Sequence, residues 1–83
     1  MIKVTIYTTA SCPYCKMAKQ FMGDNNISFA EVDVTTDIKA QEAMIAKSGQ
    51  LAVPVLVVKN DSSEEVMVGF DRNRLATLLG VTS

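Results

Sequence analysis

Histidine is absent from this 83-residue chain, and cysteine and proline occur only twice each. The missing histidine removes the commonest general base and metal ligand of neutral pH. With no histidine and no third cysteine, one chain cannot supply the four ligands of a zinc site; only a symmetric dimer pooling its thiolates could, and no metal is expected. No apolar run approaches the roughly 18–20 residues that span a bilayer. The stretch Met1-Ile2-Lys3-Val4-Thr5-Ile6-Tyr7 is too short in apolar residues, and has no small-residue cleavage site, for a secretion signal, so a cytoplasmic protein with no membrane partner is expected. The net charge is −1 and the lysines are dispersed, which argues against nucleic acid, whose phosphates call for a basic patch. There is no repeat, low-complexity tract or linker, and the length predicts a single domain over 1–83. So short a chain buries roughly 60% of its unfolded surface or a little more, so its core must be dense. A hydrophobic content of 48% permits that.

The elements read in the order β-α-β-α-β-β-α. Residues 2–7 alternate in period two and are β-branched, a strand. From Pro13, which suits a first helical position, Tyr14, Met17, Ala18, Phe21 and Met22 form an apolar stripe, and Gly23 with Asp24-Asn25-Asn26 is the expected stop. Residues 27–34 read as a second strand. Thr35, Thr36 and Asp37 offer N-caps for a helix to about Lys47, with Ile38, Gln41, Met44, Ile45 and Ser48 along one side and Gly49 as its stop. Val53 to Val58 give a strand apolar enough to be buried on both faces. Asn60-Asp61-Ser62-Ser63 is turn chemistry, and Glu64 to Gly69 return antiparallel. Asp71 can cap a last helix carrying Leu75, Leu78 and Leu79 and ending at Gly80. The first two strands flank a helix and should be parallel with a right-handed crossover. The hairpin must join the same sheet, because a chain this short cannot build a second core. The expected fold is α/β: a four-stranded mixed sheet flanked by three helices on both faces, the thioredoxin-like layout.

Cys12-Pro13-Tyr14-Cys15 carries the chemistry. A C-x-x-C pair after a strand and at the head of a helix reads as a thiol–disulfide site. Cys12 falls at the N-cap and Cys15 one turn in, and one turn supplies the roughly 4.4–6.8 Å between α-carbons that a disulfide needs. Unpaired first-turn N–H groups and the helix dipole favour negative charge at Cys12, so its thiolate should be stabilised relative to a free thiol of pKa about 8.5. Cys15 should be the more buried. Cys12 is therefore the expected nucleophile and Cys15 the resolving thiol. A bridge closing so short a loop would add little stability, which argues against a structural staple. The alternative of two inert core cysteines fits poorly with a strand-to-helix junction.

Pro54 opens a strand, where proline is tolerated; the residues leave open a plain strand-start proline or a cis Val53–Pro54 bond that frees the Val53 backbone for a substrate strand. Tyr14 is expected at the site rim. Asp71 is expected as a cap, with an anion at that helix start as the alternative. Lys16 and Lys19 are expected to be solvated, and the five methionines to fill core gaps or lie at termini.

With Cys12-Pro13-Tyr14-Cys15, Val53-Pro54 and Gly69-Phe70-Asp71 in place, the chain resembles the glutaredoxins, and more narrowly the small bacterial glutaredoxin-like redoxins, from Val4 to Leu79. The resemblance implies the thioredoxin fold, a cis Pro54, and a dithiol oxidoreductase reducing protein disulfides or glutathione mixed disulfides in cell redox homeostasis. It implies glutathione as reductant and partner, at a site lined by Tyr14, Val53, Pro54, Gly69, Phe70 and Asp71. Glutathione's backbone would pair with Val53 and its γ-glutamyl carboxylate would sit at the start of the last helix. A monomer is expected. The chain departs from the pattern of many glutaredoxins in two places. Thr8-Thr9-Ala10-Ser11 lacks a lysine before the first cysteine, and Gly69-Phe70 replaces Gly-Gly or Gly-Cys. A Gly-Phe pair resembles redoxins that take electrons from thioredoxin reductase and serve ribonucleotide reductase or a peroxidase, which is the alternative function. Ser48-Gly49-Gln50 resembles the glutaredoxin-like subgroup, with Gln50 standing where a basic contact to the glycyl carboxylate would be. A third alternative is a module bridging an iron–sulfur cluster through Cys12 and glutathione, against which the stiffness of Pro13 works.

Overall fold

The computed structural model describes residues 2–50 and 53–80. Along the chain come β1 (Lys3–Thr8), α1 (Pro13–Asp24), β2 (Phe29–Asp33), α2 (Ile38–Ser48), β3 (Val55–Lys59), β4 (Glu64–Val68) and α3 (Arg72–Leu79). The strands form one sheet in the order β2-β1-β3-β4. β1 and β2 are parallel, with Val4 opposite Phe29 and Thr8 opposite Asp33. β3 runs antiparallel to β1 and to β4, with Leu56 opposite both Ile6 and Met67.

Alternate residues of a strand project to opposite faces, so this register sorts the core into two layers. On one face Val4, Ile6, Leu56, Val58 and Met67 meet Ala18, Phe21 and Met22 of α1 and Leu75, Ala76 and Leu79 of α3. On the other, Tyr7, Val55 and Val57 meet Val34 and Met44, so α2 covers that face alone. β3 lies inside the sheet and buries Val55, Leu56, Val57 and Val58, as its unbroken apolar run requires.

The helices start where their caps are. The Asp37 carboxylate accepts the Ala40 N–H at 3.0 Å and the Asp71 carboxylate accepts the Arg74 N–H at 3.1 Å. Of the three capping candidates before α2, Asp37 is the one used. Gly49 closes α2 in the left-handed region at φ 74°, and its N–H donates to the Ile45 carbonyl at 2.7 Å. In the β3–β4 turn the Asn60 side chain accepts the Ser62 and Ser63 N–H groups.

Several expectations are corrected. α1 ends inside the expected Gly23-Asp24-Asn25-Asn26 stretch, at Asp24 with Asn25 as its cap; Gly23 itself lies within the helix, and Asn26 takes the left-handed conformation at φ 58°, which asparagine tolerates. The second strand is shorter than 27–34, because the Ile27 N–H turns back to the Met22 carbonyl at 2.8 Å. The third strand begins at Val55 rather than Val53, since Pro54 has no N–H for the ladder. In α1 the buried line is Cys15, Ala18 and Met22 with Phe21, whereas Tyr14 and Met17 are 59% and 51% exposed. In α2 only Met44 is fully buried; Ile38 is 68% exposed and Ile45 is also on the solvent side. Met22, Met44 and Met67 fill the core while Met17 does not, and Met1 lies outside the described residues.

Candidate active site

Cys12 is the N-cap of α1, with extended backbone at φ −92° and ψ 107°, and Pro13 opens the helix. The Cys12 sulfur accepts the backbone N–H of Cys15 at 3.1 Å. A sulfur thus replaces the oxygen that usually caps a helix, and an anionic sulfur would accept that hydrogen bond more strongly than a neutral one. Cys12 and Cys15 are joined in a disulfide with α-carbons 5.2 Å apart. Cys12 is 7% and Cys15 1% exposed, so the first cysteine is the one an incoming group can approach.

The Val53–Pro54 peptide is cis, and Val53 lies outside the ladder, which begins at Val55. The Pro54 carbonyl accepts the Gly69 N–H at 2.8 Å, which ties the segment before β3 to the segment after β4. Gly69 holds φ 85°, a conformation that side-chain-bearing residues rarely adopt. Phe70 then packs on α1, its ring 6.2 Å from that of Phe21 and tilted by 57°. The Arg72 guanidinium lies 5.6 Å from the centre of the Phe21 ring. The three segments singled out in the sequence are thereby connected: α1 to Phe70 by the tilted ring contact with Phe21, and Gly69 to Pro54 by a backbone hydrogen bond. Tyr14 stands out from α1 into solvent, and Asp71 caps α3.

A polar cluster behind Cys15 was not anticipated. Thr8, 1% exposed, donates its hydroxyl to Glu31 at 2.9 Å, and Lys19 donates to the same carboxylate oxygen at 2.8 Å. Lys19 is thus ion-paired rather than simply solvated. Its position four residues after Cys15 places it on the same helical face. The cluster ties β1, β2 and α1 together at the end of the sheet that carries the C-x-x-C loop. The Lys19 hydrogen bond, then that of Thr8, hold the Glu31 carboxyl below the usual glutamate value of 4.5. A carboxylate depressed in this way stabilises the fold above its unfolded value, and the contribution is lost as pH falls through the folded one. Urea midpoints measured between about pH 7 and pH 3 should therefore fall on acidification, and Glu31→Gln should flatten that fall. An unchanged acid profile in Glu31→Gln would contradict the pairing.

Beside the C-x-x-C loop lies a groove of about 410 Å³. Thr9, Ala10 and Ser11 from the loop after β1 line it together with Thr35 and Gln41. Val34, Met44 and Val53 complete the lining. The Thr35 hydroxyl accepts the Ala10 N–H at 3.3 Å, and the Gln41 amide donates to the Val34 carbonyl at 2.6 Å. Among the described residues no lysine, arginine, aspartate or glutamate lines it. The sequence singled out only Val53 among these residues as part of a site. By local pattern Thr35 reads as a cap and Gln41 as part of a helix stripe. Their common location depends on α2 crossing the sheet beside the loop after β1, which no local pattern announces.

The glutaredoxin family profile matches residues 4–62. An uncharacterized glutaredoxin-like 8.6 kDa protein in the rubredoxin operon of Clostridium pasteurianum is 34% identical over 76 residues, 92% of this chain and 96% of that protein. Glutaredoxin 3 of Escherichia coli K12 is 36% identical over 58 residues, 70% of each chain. Among solved structures, a point mutant of the thioredoxin-like protein BC3987 matches with a TM-score of 0.83 and 29% identity, over 95% of this chain and 96% of that one. The glutaredoxin-like protein NrdH-redoxin from Escherichia coli, described with a thioredoxin-like activity profile, matches with a TM-score of 0.76 and 26% identity, over 92% and 93%. The mixed sheet with its three helices is thus a thioredoxin-like fold, and the cysteine pair at the head of α1 is its redox-active centre. By the profile match over most of its length and by full-length similarity to a glutaredoxin-like relative, this chain belongs to the glutaredoxin family.

Proposed function

We propose that this protein is a dithiol oxidoreductase that reduces protein disulfides and mixed disulfides, with Cys12 as nucleophile and Cys15 as resolving thiol. The observation that carries this reading is the placement of the Cys12 sulfur at the N-cap of α1, where it accepts the Cys15 N–H. In the reduced protein the Cys12 thiolate attacks one sulfur of the substrate disulfide. A Cys12–substrate disulfide forms and the other substrate sulfur leaves as a thiolate, which takes up a proton. The Cys15 thiol then loses its proton and attacks the Cys12 sulfur. The Cys12–Cys15 disulfide forms and the second substrate thiol is released. The substrate gains two electrons and the protein loses two, which a donor must restore. Val53, whose backbone lies outside the ladder, is proposed to pair with the substrate chain at Pro54.

Two donors fit this chemistry. Glutathione is the donor suggested by the family; it would contact Tyr14, Val53, Pro54, Gly69 and Phe70 and reach the start of α3 at Asp71. A thioredoxin reductase is favoured by Gly69-Phe70 and by the likeness to NrdH-redoxin, and the described residues that line the groove beside the C-x-x-C loop are uncharged. Both are tested by following NADPH oxidation with the purified protein. One arm contains glutathione and glutathione reductase, the other thioredoxin reductase, each with a glutathione mixed disulfide and a protein disulfide as acceptors. Turnover in the glutathione arm supports the first donor, and turnover restricted to the reductase arm supports the second. Turnover in neither would contradict both.

A further inference from the structure

On the sheet face that α2 covers, beside that helix's last turn, lies a hollow of about 180 Å³ that takes no part in the thiol chemistry. We propose that it binds a phosphoryl group, either as inorganic phosphate or as the phosphate ester of a small molecule.

The lining is rich in donors. Lys3, Thr5 and Tyr7 are alternate residues of β1 and so share one face of the sheet. Lys59 joins them from the end of β3, and Lys47 from the last turn of α2. These lysines are far apart in the sequence and are gathered by the fold. Three ammonium-bearing and two hydroxyl-bearing side chains thus border one concavity, with the Glu64 carboxylate as its acidic member. Ammonium and hydroxyl groups both donate to oxygen, and a charged donor bonds an anionic oxygen more strongly than a neutral one. A phosphoryl group carries three strong acceptor oxygens and can use several of these donors together.

The strand register is a second, independent observation. Lys3 lies directly opposite Lys59, and Lys59 directly opposite Glu64, in one row across β1, β3 and β4. Like charges directly opposite each other destabilise a strand pair. Glu64 relieves the Lys3–Lys59 repulsion only in part, because Lys47 holds its carboxylate in a 2.6 Å ion pair. Among the described residues neither Lys3 nor Lys59 has an ion pair of its own. Local rules of this kind are broken chiefly at functional or strained sites. An anion seated between the two ammonium groups turns their repulsion into attraction for the ligand.

The sign of the hollow also sets it apart. Three lysines and one glutamate leave it positive in a chain whose net charge is −1. The charge is confined to one small hollow, which suits a single headgroup rather than the run of phosphates along a nucleic acid.

The test titrates the full chain with inorganic phosphate and with glycerol 3-phosphate, at fixed pH and against sodium chloride of matched ionic strength, which screens the lysines without filling the hollow. Amide chemical shifts report the place of binding, and the urea midpoint reports stabilisation by a ligand of the folded state. Both phosphates should shift the Lys3, Thr5 and Lys59 amides saturably and raise the midpoint above that in chloride. Lys3→Gln should weaken binding about tenfold, the factor equivalent to 1.4 kcal/mol. Its midpoint without ligand should equal or exceed that of wild type, because the like-charge pair is gone; a merely structural Lys3 would lower it. Glu64→Gln releases Lys47 and should tighten binding. Tighter binding of glycerol 3-phosphate assigns the site to a phosphate ester, and equal or weaker binding assigns it to free phosphate. A response no different from that in chloride, or affinities that neither variant changes, would overturn the site. The readout is binding, so the outcome is independent of the dithiol reading.

Discussion

Cys12→Ser is expected to lose disulfide reduction by roughly three orders of magnitude or more, because a serine hydroxyl at its ordinary pKa is a poor nucleophile and no neighbouring base activates it. Cys15→Ser is expected to behave differently. Its Cys12 sulfur still accepts the N–H of residue 15, since that donor belongs to the backbone. The first attack should therefore survive while the internal resolution is lost. With a protein disulfide the variant should stall as a stable mixed disulfide, visible by intact mass and released by a small thiol. With a glutathione mixed disulfide and excess glutathione, turnover should persist, because an external thiol can take the place of Cys15. The asymmetry follows from geometry: Cys12 sits at the helix tip, whereas Cys15 is turned toward the sheet. Capture of substrate by Cys12→Ser through Cys15 would reverse the assignment.

Leu56→Ala should be the most damaging of the simple core truncations. Leu56 is fully buried in an interior strand, between Ile6 and Met67 and beneath α1 and α3. Removing a fully packed leucine side chain costs about 2–5 kcal/mol, from lost burial and the cavity left behind. A chain of this length has a total stability of roughly 4–12 kcal/mol by the usual per-residue range, so the variant should sit close to its unfolding threshold. The urea midpoint should drop steeply with an unchanged slope. Ile38→Ala makes the contrast: an aliphatic residue of similar size, but largely exposed at the start of α2, and expected within about 0.5 kcal/mol of wild type. Equal losses at the two positions would mean that α2 lies on the sheet with a different face.

That contrast also marks where local reading ends. The alternating Lys3–Thr8 segment, the turn around Asn60, the caps at Asp37 and Asp71 and the stop at Gly49 all act within a few residues of themselves. Their outcome is written in neighbouring residue types, and the C-x-x-C pair belongs to the same class, since one helical turn brings its two sulfurs together. The exposed positions of Ile38, Ile45 and Met17 do not. An apolar stripe on a helix is wider than the strip that touches the sheet, and α2 is the only helix on its face, so nothing beyond Met44 and its half-buried neighbours is drawn in.

Residue pattern alone was enough for the element order, the parallel first pair, the closing hairpin and the placement of two thiols at a helix start, because hydrophobic period, capping and turn chemistry are short-range effects. The tertiary structure decided which strand the hairpin joins: β3 beside β1, leaving β2 and β4 at the edges. It also decided the meeting of Thr8, Glu31 and Lys19, the bond from Gly69 to Pro54, and the uncharged groove between the C-x-x-C loop and α2. Each of these joins residues far apart in the chain. Such contacts depend on how layers settle against one another to fill space, and packing of that kind leaves no periodic trace in any single segment.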